Sequence, residues 1–89
     1  MTYRIQRLVE ERAVVFVCSG ELDADHCARL GELIAAEEPS RVRLDLKEVT
    51  LADHNGVQCL ARLHAAGIAL VNCPDYVRRW IAAEEGANR

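Results

Sequence analysis

Leu44-Asp45-Leu46-Lys47-Glu48-Val49-Thr50-Leu51-Ala52-Asp53-His54-Asn55-Gly56 carries the chain from an apolar strand through a short loop into a helix start. Val42, Leu44 and Leu46 alternate with Arg41, Arg43 and Asp45, the period of a strand with one buried face. Past Asp53 the apolar residues Val57, Leu60, Ala61 and Leu63 recur at helical spacing as far as Ala65-Ala66-Gly67, where glycine is placed as a C-terminal stop. The first N–H groups of a helix lack intrahelical partners and sit at the positive end of its dipole, so they meet negative charge readily. Asp53, His54 and Asn55 stand there.

Outward from this unit the same reading gives the rest of the chain. Tyr3–Val9 alternates as a half-exposed strand does, and Ala13–Cys18 is continuously apolar and β-branched, which predicts a strand covered on both faces and ended by Ser19-Gly20. Asp25–Glu37 has apolar residues at Cys27, Leu30, Leu33 and Ile34, with Asp23 as its N-cap and Pro39-Ser40 closing the element. Downstream, Ile68–Val71 is a short buried strand. Cys73-Pro74-Asp75 then opens a helix in which Val77, Trp80 and Ile81 share a face and Arg78 and Arg79 point outward. Glu84–Arg89 reads as a frayed polar tail.

The order is β-β-α-β-α-β-α in a single domain spanning residues 1–89: an α/β fold with a mixed four-stranded sheet and about three helices. Right-handed crossovers deliver the loop Glu48–Asn55 to the carboxyl edge of the sheet, where function gathers in such folds.

Composition narrows the function. A net charge of −3 and the absence of any basic run argue against nucleic acid, whose non-specific binding requires a basic surface. No apolar stretch approaches the length of a membrane span and no leader precedes the first strand, so no membrane insertion is expected and a cytoplasmic location is the default. The core must be built from Val, Leu, Ile and Ala with Trp80 and Phe16 as its bulky members, because the chain has only four aromatic residues (one Trp, two Tyr, one Phe).

Chemistry is sparse. Cys18, Cys27, Cys59 and Cys73 are widely separated without C-x-x-C spacing, a poor fit to a disulfide framework or a zinc site, and each lies in an apolar context suited to a buried thiol. Cys59, His64 and Asp53 include the residue types of a nucleophile, base and orienting acid, but positions five apart on a helix do not share a face. His26, Cys27, His64 and Cys73 have equally poor metal-ligand spacing. Asp53 suits an N-cap better than a reactive acid. No Gly-rich phosphate loop is present, and the helix start at Asn55–Val57 could hold at most a weakly bound phosphate. No cofactor, no metal and no enzymatic activity are expected.

Three segments carry a resemblance: Cys18-Ser19-Gly20-Glu21-Leu22-Asp23, the stretch Leu44–Asp53 with Gly56, and Cys73-Pro74-Asp75-Tyr76-Val77-Arg78-Arg79-Trp80. In order and spacing they resemble a STAS domain, the family of bacterial anti-sigma factor antagonists and of the cytoplasmic domains of sulfate transporters. In that family the loop usually reads Asp-Ser-Ser-Gly or Asp-Ser-Thr-Gly. A partner anti-sigma kinase phosphorylates the hydroxyl residue before the glycine, and phosphorylation releases the partner. The matching position here is Asn55, preceded by His54, and neither bears a hydroxyl. An Asn amide stays neutral and accepts no phosphate, so Asn55 reads as a degenerate phosphosite in a domain held in its binding-competent form.

The resemblance implies a non-catalytic protein–protein interaction module in transcription regulation. Its partner would be an anti-sigma factor of the kinase type, bound through Asp53, His54, Asn55, Gly56, Gln58 and Arg62. The alternative is a small STAS subunit regulating the ATPase of a lipid or other membrane transport system. Family members usually continue past the third helix with another strand and helix, whereas this sequence stops at Arg89. Strand Ile68–Val71 is then either an open edge through which a homodimer forms or an edge covered by its neighbours.

Overall fold

The protein, a computed structural model describing residues 3–87, has the element order expected. It comprises β1 (Tyr3–Val9), β2 (Val14–Leu22), α1 (Ala24–Ala35), a 3-10 turn at Pro39–Arg41, β3 (Val42–Ala52), α2 (His54–Ala65), β4 (Ala69–Val71) and α3 (Asp75–Ala87). The strands lie in one sheet in the order β1-β2-β3-β4. The β1–β2 hairpin is antiparallel, with Ile5 opposite Cys18. The crossovers make β2–β3 and β3–β4 parallel, so that Phe16, Leu44 and Leu70 share one row.

This row faces the helices. Val14, Phe16, Cys18, Leu44 and Leu46 point into the same core as Leu30 and Ile34 of α1, Val57 and Leu60 of α2, and Val77 and Ile81 of α3. On the opposite face Val15 and Val17 are only half-buried and Arg43 is exposed. The unbroken apolar run of β2 therefore does not signal cover on both faces. Two crossovers stepping in the same direction put their helices on the same side.

Two strands are longer than the sequence predicts. β2 does not end at Ser19-Gly20 but continues to Leu22, and β3 continues through Lys47–Ala52, so the expected loop Glu48–Asn55 is mostly strand. The register shifts between Val17 and Ser19 and again between Gly20 and Glu21. Gly20 adopts φ 85°, and such bulges bend a strand without ending its pairing.

The local punctuation holds. Asp23 caps α1 by accepting the His26 N–H (3.0 Å). Gly67, at φ 98°, ends α2 in a Schellman motif in which Gly67 N–H donates to the His64 carbonyl and Ile68 N–H to the Leu63 carbonyl.

Trp80 corrects the expected core: it is 42% exposed, as Tyr76 is at 46%, while Val77 and Ile81 are buried. α3 packs chiefly on α2, so only the narrow Val77–Ile81 stripe is covered and Trp80 falls beyond it. α3 also runs through Ala87, so most of the expected frayed tail is helical; Asn88 and Arg89 lie outside the described residues. Strand β4 has no partner on its outer side among the described residues.

Candidate partner-binding site

β3 delivers the chain to α2 through one residue, Asp53. Its carboxylate accepts the Gly56 N–H at 2.9 Å, and its own N–H donates to the Leu22 carbonyl at 3.1 Å. These bonds lock the helix start to the end of β2. Gly56 is required by the same approach, because a Cβ there would collide with the Leu22 carbonyl oxygen and lie 2.8 Å from the Leu22 carbonyl carbon. The spacing Asp-x-x-Gly is thus a docking device: the acid caps the helix and the glycine lets the first turn rest on backbone. The cap also places a carboxylate of the chain itself at the amide that would otherwise attract an anion.

The two residues between the clamps, His54 and Asn55, are exposed. Asn55, Gln58 and Arg62 follow one another at i, i+3 and i+7, forming a stripe on the side of α2 away from the core, with His54 flanking it one turn before Gln58. Of the six residues expected to meet a partner, four are therefore brought together on one surface, while Asp53 and buried Gly56 form its framework. At the far end of the stripe Arg62 Nη2 lies 3.9 Å from Cys27 Sγ of α1.

Cys27 corrects the reading of the cysteines as separate thiols. It is joined to Cys59 in a disulfide linking α1 to α2, which leaves only Cys18 and Cys73 free. Two crossover helices lying side by side on a sheet bring residues 32 positions apart into contact, and no local spacing announces that. With Cys27 and Cys59 so bonded, the nucleophile considered from the sequence has no thiol and the metal grouping keeps only Cys73 of its two cysteines. Among the described residues no three of His, Cys, Asp and Glu converge.

His26, unassigned by the helical pattern, is wholly buried. Its Nδ1 lies 3.0 Å from the Glu21 carbonyl, its ring stacks on Tyr3 with centroids 4.5 Å apart, and Nε2 has no hydrogen-bond partner among the described residues. Burial pulls its pKa below 6.5, against the raising influence of the Glu21 carbonyl and Asp23.

On the open face Asp45 is nearly buried, and desolvation opposes its charge. The Lys47 N–H at 3.1 Å, the Asn72 amide at 3.2 Å and the Lys47 ammonium outweigh this and hold its carboxyl below the ordinary aspartate value. Asn72 makes its bond from a left-handed backbone, φ 56°. A groove of about 660 Å³ lies along β4 and α3, lined by Ile68, Leu70, Cys73, Arg78 and Ile81. It is separate from the helix start of α2.

A crossover sheet with an Asp-capped, glycine-seated helix after β3 is the frame that the sequence resemblance leads one to expect. A family model described as "Mlab, STAS domain" matches residues 6–83. The chain belongs to this STAS family. Solved structures share the fold of this STAS domain. An anti-sigma factor antagonist from Mycobacterium paratuberculosis superposes with a TM-score of 0.73 at 20% identity, over 98% of this chain and 81% of that one. The anti-sigma factor antagonist SpoIIAA in its unphosphorylated form gives 0.63 at 22% identity, over 85% and 79%. An antisigma-factor antagonist STAS domain from Rhodobacter sphaeroides gives 0.54 at 16%, over 79% and 86%. No curated protein matches the STAS domain significantly in sequence.

Proposed function

We propose that this STAS domain is a regulatory protein-interaction module, without catalytic activity, whose working surface is the start and exposed flank of α2. His54, Asn55, Gln58 and Arg62 make the contacts; Asp53 and Gly56 hold them in place. The observation that carries this reading is the clamped helix start with an exposed amide, Asn55, where the family has its phosphoacceptor. The frame that presents the residue is kept and the hydroxyl is gone. The partner is an anti-sigma factor of the kinase type, as the names of the structural neighbours suggest, and the domain stays competent to bind it because no phosphate can be added at Asn55. A cytoplasmic location fits this partner, and none of the described helices is long and apolar enough to cross a membrane.

The match to the Mlab family description favours a second reading. In it the domain is a small STAS subunit that regulates the ATPase of a lipid or other membrane transport system. Co-purification of the tagged chain separates the two: a sigma-factor regulator supports the first reading, a Walker-type ATPase the second. With the first kind of partner and ATP, no phosphorylated product forms at Asn55, and Asn55→Asp weakens binding. Unchanged binding by Asn55→Asp counts against this surface.

A further inference from the structure

The α1–α2 disulfide has unequal ends. Cys59 is buried, 3% exposed, whereas Cys27 is half-buried. The Arg62 guanidinium stands 3.9 Å from Cys27 Sγ, where a positive charge stabilises a sulfur that carries negative charge. The helices bearing the pair are each anchored independently, α1 by Leu30 and Ile34 and α2 by Val57 and Leu60, so the two sulfurs stay neighbours when the bond is open. The free cysteines have different settings. Burial, with Asp45 nearby, pushes the Cys18 thiol up to about 12, and burial raises Cys73 more than Arg78 lowers it.

We propose that Cys27 and Cys59 form a reversible redox site, opened by thiols and closed by disulfides of the glutathione class, with Cys27 as the sulfur attacked and Arg62 as the group that steadies its thiolate. In the opening reaction a thiolate RS⁻ attacks Cys27 Sγ. The Cys27–Cys59 bond breaks, Cys59 leaves with the electron pair and takes up a proton, and Cys27 is held as a mixed disulfide with R. A second RS⁻ attacks the sulfur of R, forming RSSR and releasing Cys27 as a thiolate beside Arg62. Two thiols are oxidised to one disulfide while the protein disulfide gains two electrons, and RSSR closes the bond by the reverse steps. Attack falls on Cys27 because Cys59 is covered.

The bond ties the first turn of α1 to the helix that carries Asn55, Gln58 and Arg62, so its state sets how firmly that stripe is held. This last consequence rests on the partner surface proposed above; the redox site itself does not.

The test uses the whole chain in glutathione buffers of graded ratio, with N-ethylmaleimide trapping, intact mass and peptide mapping, while circular dichroism reports the fold. The expected result is reversible, two-electron interconversion of Cys27 and Cys59 in folded protein. In the reduced form Cys27 is alkylated about tenfold or more faster than Cys73 and Cys18. Arg62→Gln slows Cys27 alkylation about threefold, and Arg62→Lys restores it. Cys59→Ser accumulates a Cys27–glutathione mixed disulfide. The proposal is overturned if Cys27 and Cys59 fail to pair in oxidised glutathione, if Cys27 reacts no faster than Cys73, or if Arg62→Gln leaves its rate unchanged. None of these readouts involves a partner, so their failure leaves the binding surface standing, and failure of partner binding leaves them intact.

Discussion

Replacing Gly56 by alanine tests whether the Asp-x-x-Gly spacing is architectural. The added Cβ would fall on the Leu22 carbonyl, 2.8 Å from its carbon and 3.0 Å from Leu22 Cγ. Two of those atoms are backbone of β2, which is paired to β3 at Leu22, so relief requires α2 to lift off the sheet. Overpacking of this kind costs about 1–3 kcal/mol. Lifting the turn also lengthens the Asp53 N–H bond to Leu22, a loss of about 1 kcal/mol. Alanine's better helix propensity returns about 1 kcal/mol. The net loss is about 1–3 kcal/mol, a sizeable share of the roughly 5–13 kcal/mol expected for a domain of this length. With a urea m-value of about 1 kcal/mol/M, the unfolding midpoint should fall by about 1–3 M. Gly31→Ala is the control, because nothing lies within 4 Å of a Cβ at that helical position; it should raise stability by about 0.5–1 kcal/mol. Urea melts followed by circular dichroism decide the matter. A Gly56→Ala midpoint equal to that of the parent would refute the argument that this glycine exists to seat α2 on Leu22.

Further outcomes follow from the same geometry. Asp53→Ala removes the cap on Gly56 N–H and should cost about 1 kcal/mol in the same melts, with Asp53→Asn costing less. His26 has a folded pKa below 6.5, so the unfolded chain binds its proton first. Its contribution is complete above pH 6.5 and declines as pH falls from there through the folded value, and His26→Gln should flatten that limb of the stability–pH curve. Asp45, held below 3.8, contributes fully above that pH and loses its contribution as pH falls through the lower folded value; Asp45→Asn should remove this acid limb. β4 exposes an edge of only three residues, too short for a stable β pairing by itself. Light scattering should therefore give the monomer mass of 9.9 kDa, and a mass that rises with concentration would assign that edge to a dimer.

Features encoded by near neighbours were legible in the sequence. Asp23 and Asp53 each stand three residues before the N–H they accept, and Gly67 ends α2 where a left-handed residue is needed, so fixed local offsets announced all three. The strand–helix order followed from apolar period, from the apolar runs Ala13–Cys18 and Ile68–Val71, and from the Gly and Pro stops between elements. What escaped depended on contacts between distant segments. The length of β2 and β3 is set by their mutual pairing past a bulge, and Gly20, which usually punctuates a strand, here keeps one going. Trp80 lies one position outside the stripe that α2 covers, and how wide that stripe is depends on where α3 docks. The Cys27–Cys59 bond and the burial of His26 need the packing of α1 against α2 and against Tyr3. At the site, the frame was readable from Asp53 and Gly56, whereas the approach of Arg62 to the disulfide required the helix pair.

On the reading proposed above, an amide in place of a hydroxyl at Asn55 leaves the frame alone, because the bonds from Asp53 to Gly56 N–H and to the Leu22 carbonyl use backbone and the Asp53 carboxylate. Presentation and modification are therefore separable here. A serine at position 55 would sit on the same capped turn, exposed in the same place. Asn55→Ser should thus fold with unchanged stability, within about 0.5 kcal/mol for an exposed position, and differ only in whether a kinase partner can act on it. If that variant is phosphorylated by a partner that binds the parent chain, and the phosphorylated form lets go, the parent differs from a switched domain by its acceptor alone. If the serine is presented and bound but never phosphorylated, the divergence lies in the partner, and the reading shifts toward an ATPase that has no use for the acceptor. The outcome at this single position therefore discriminates between the two partner classes.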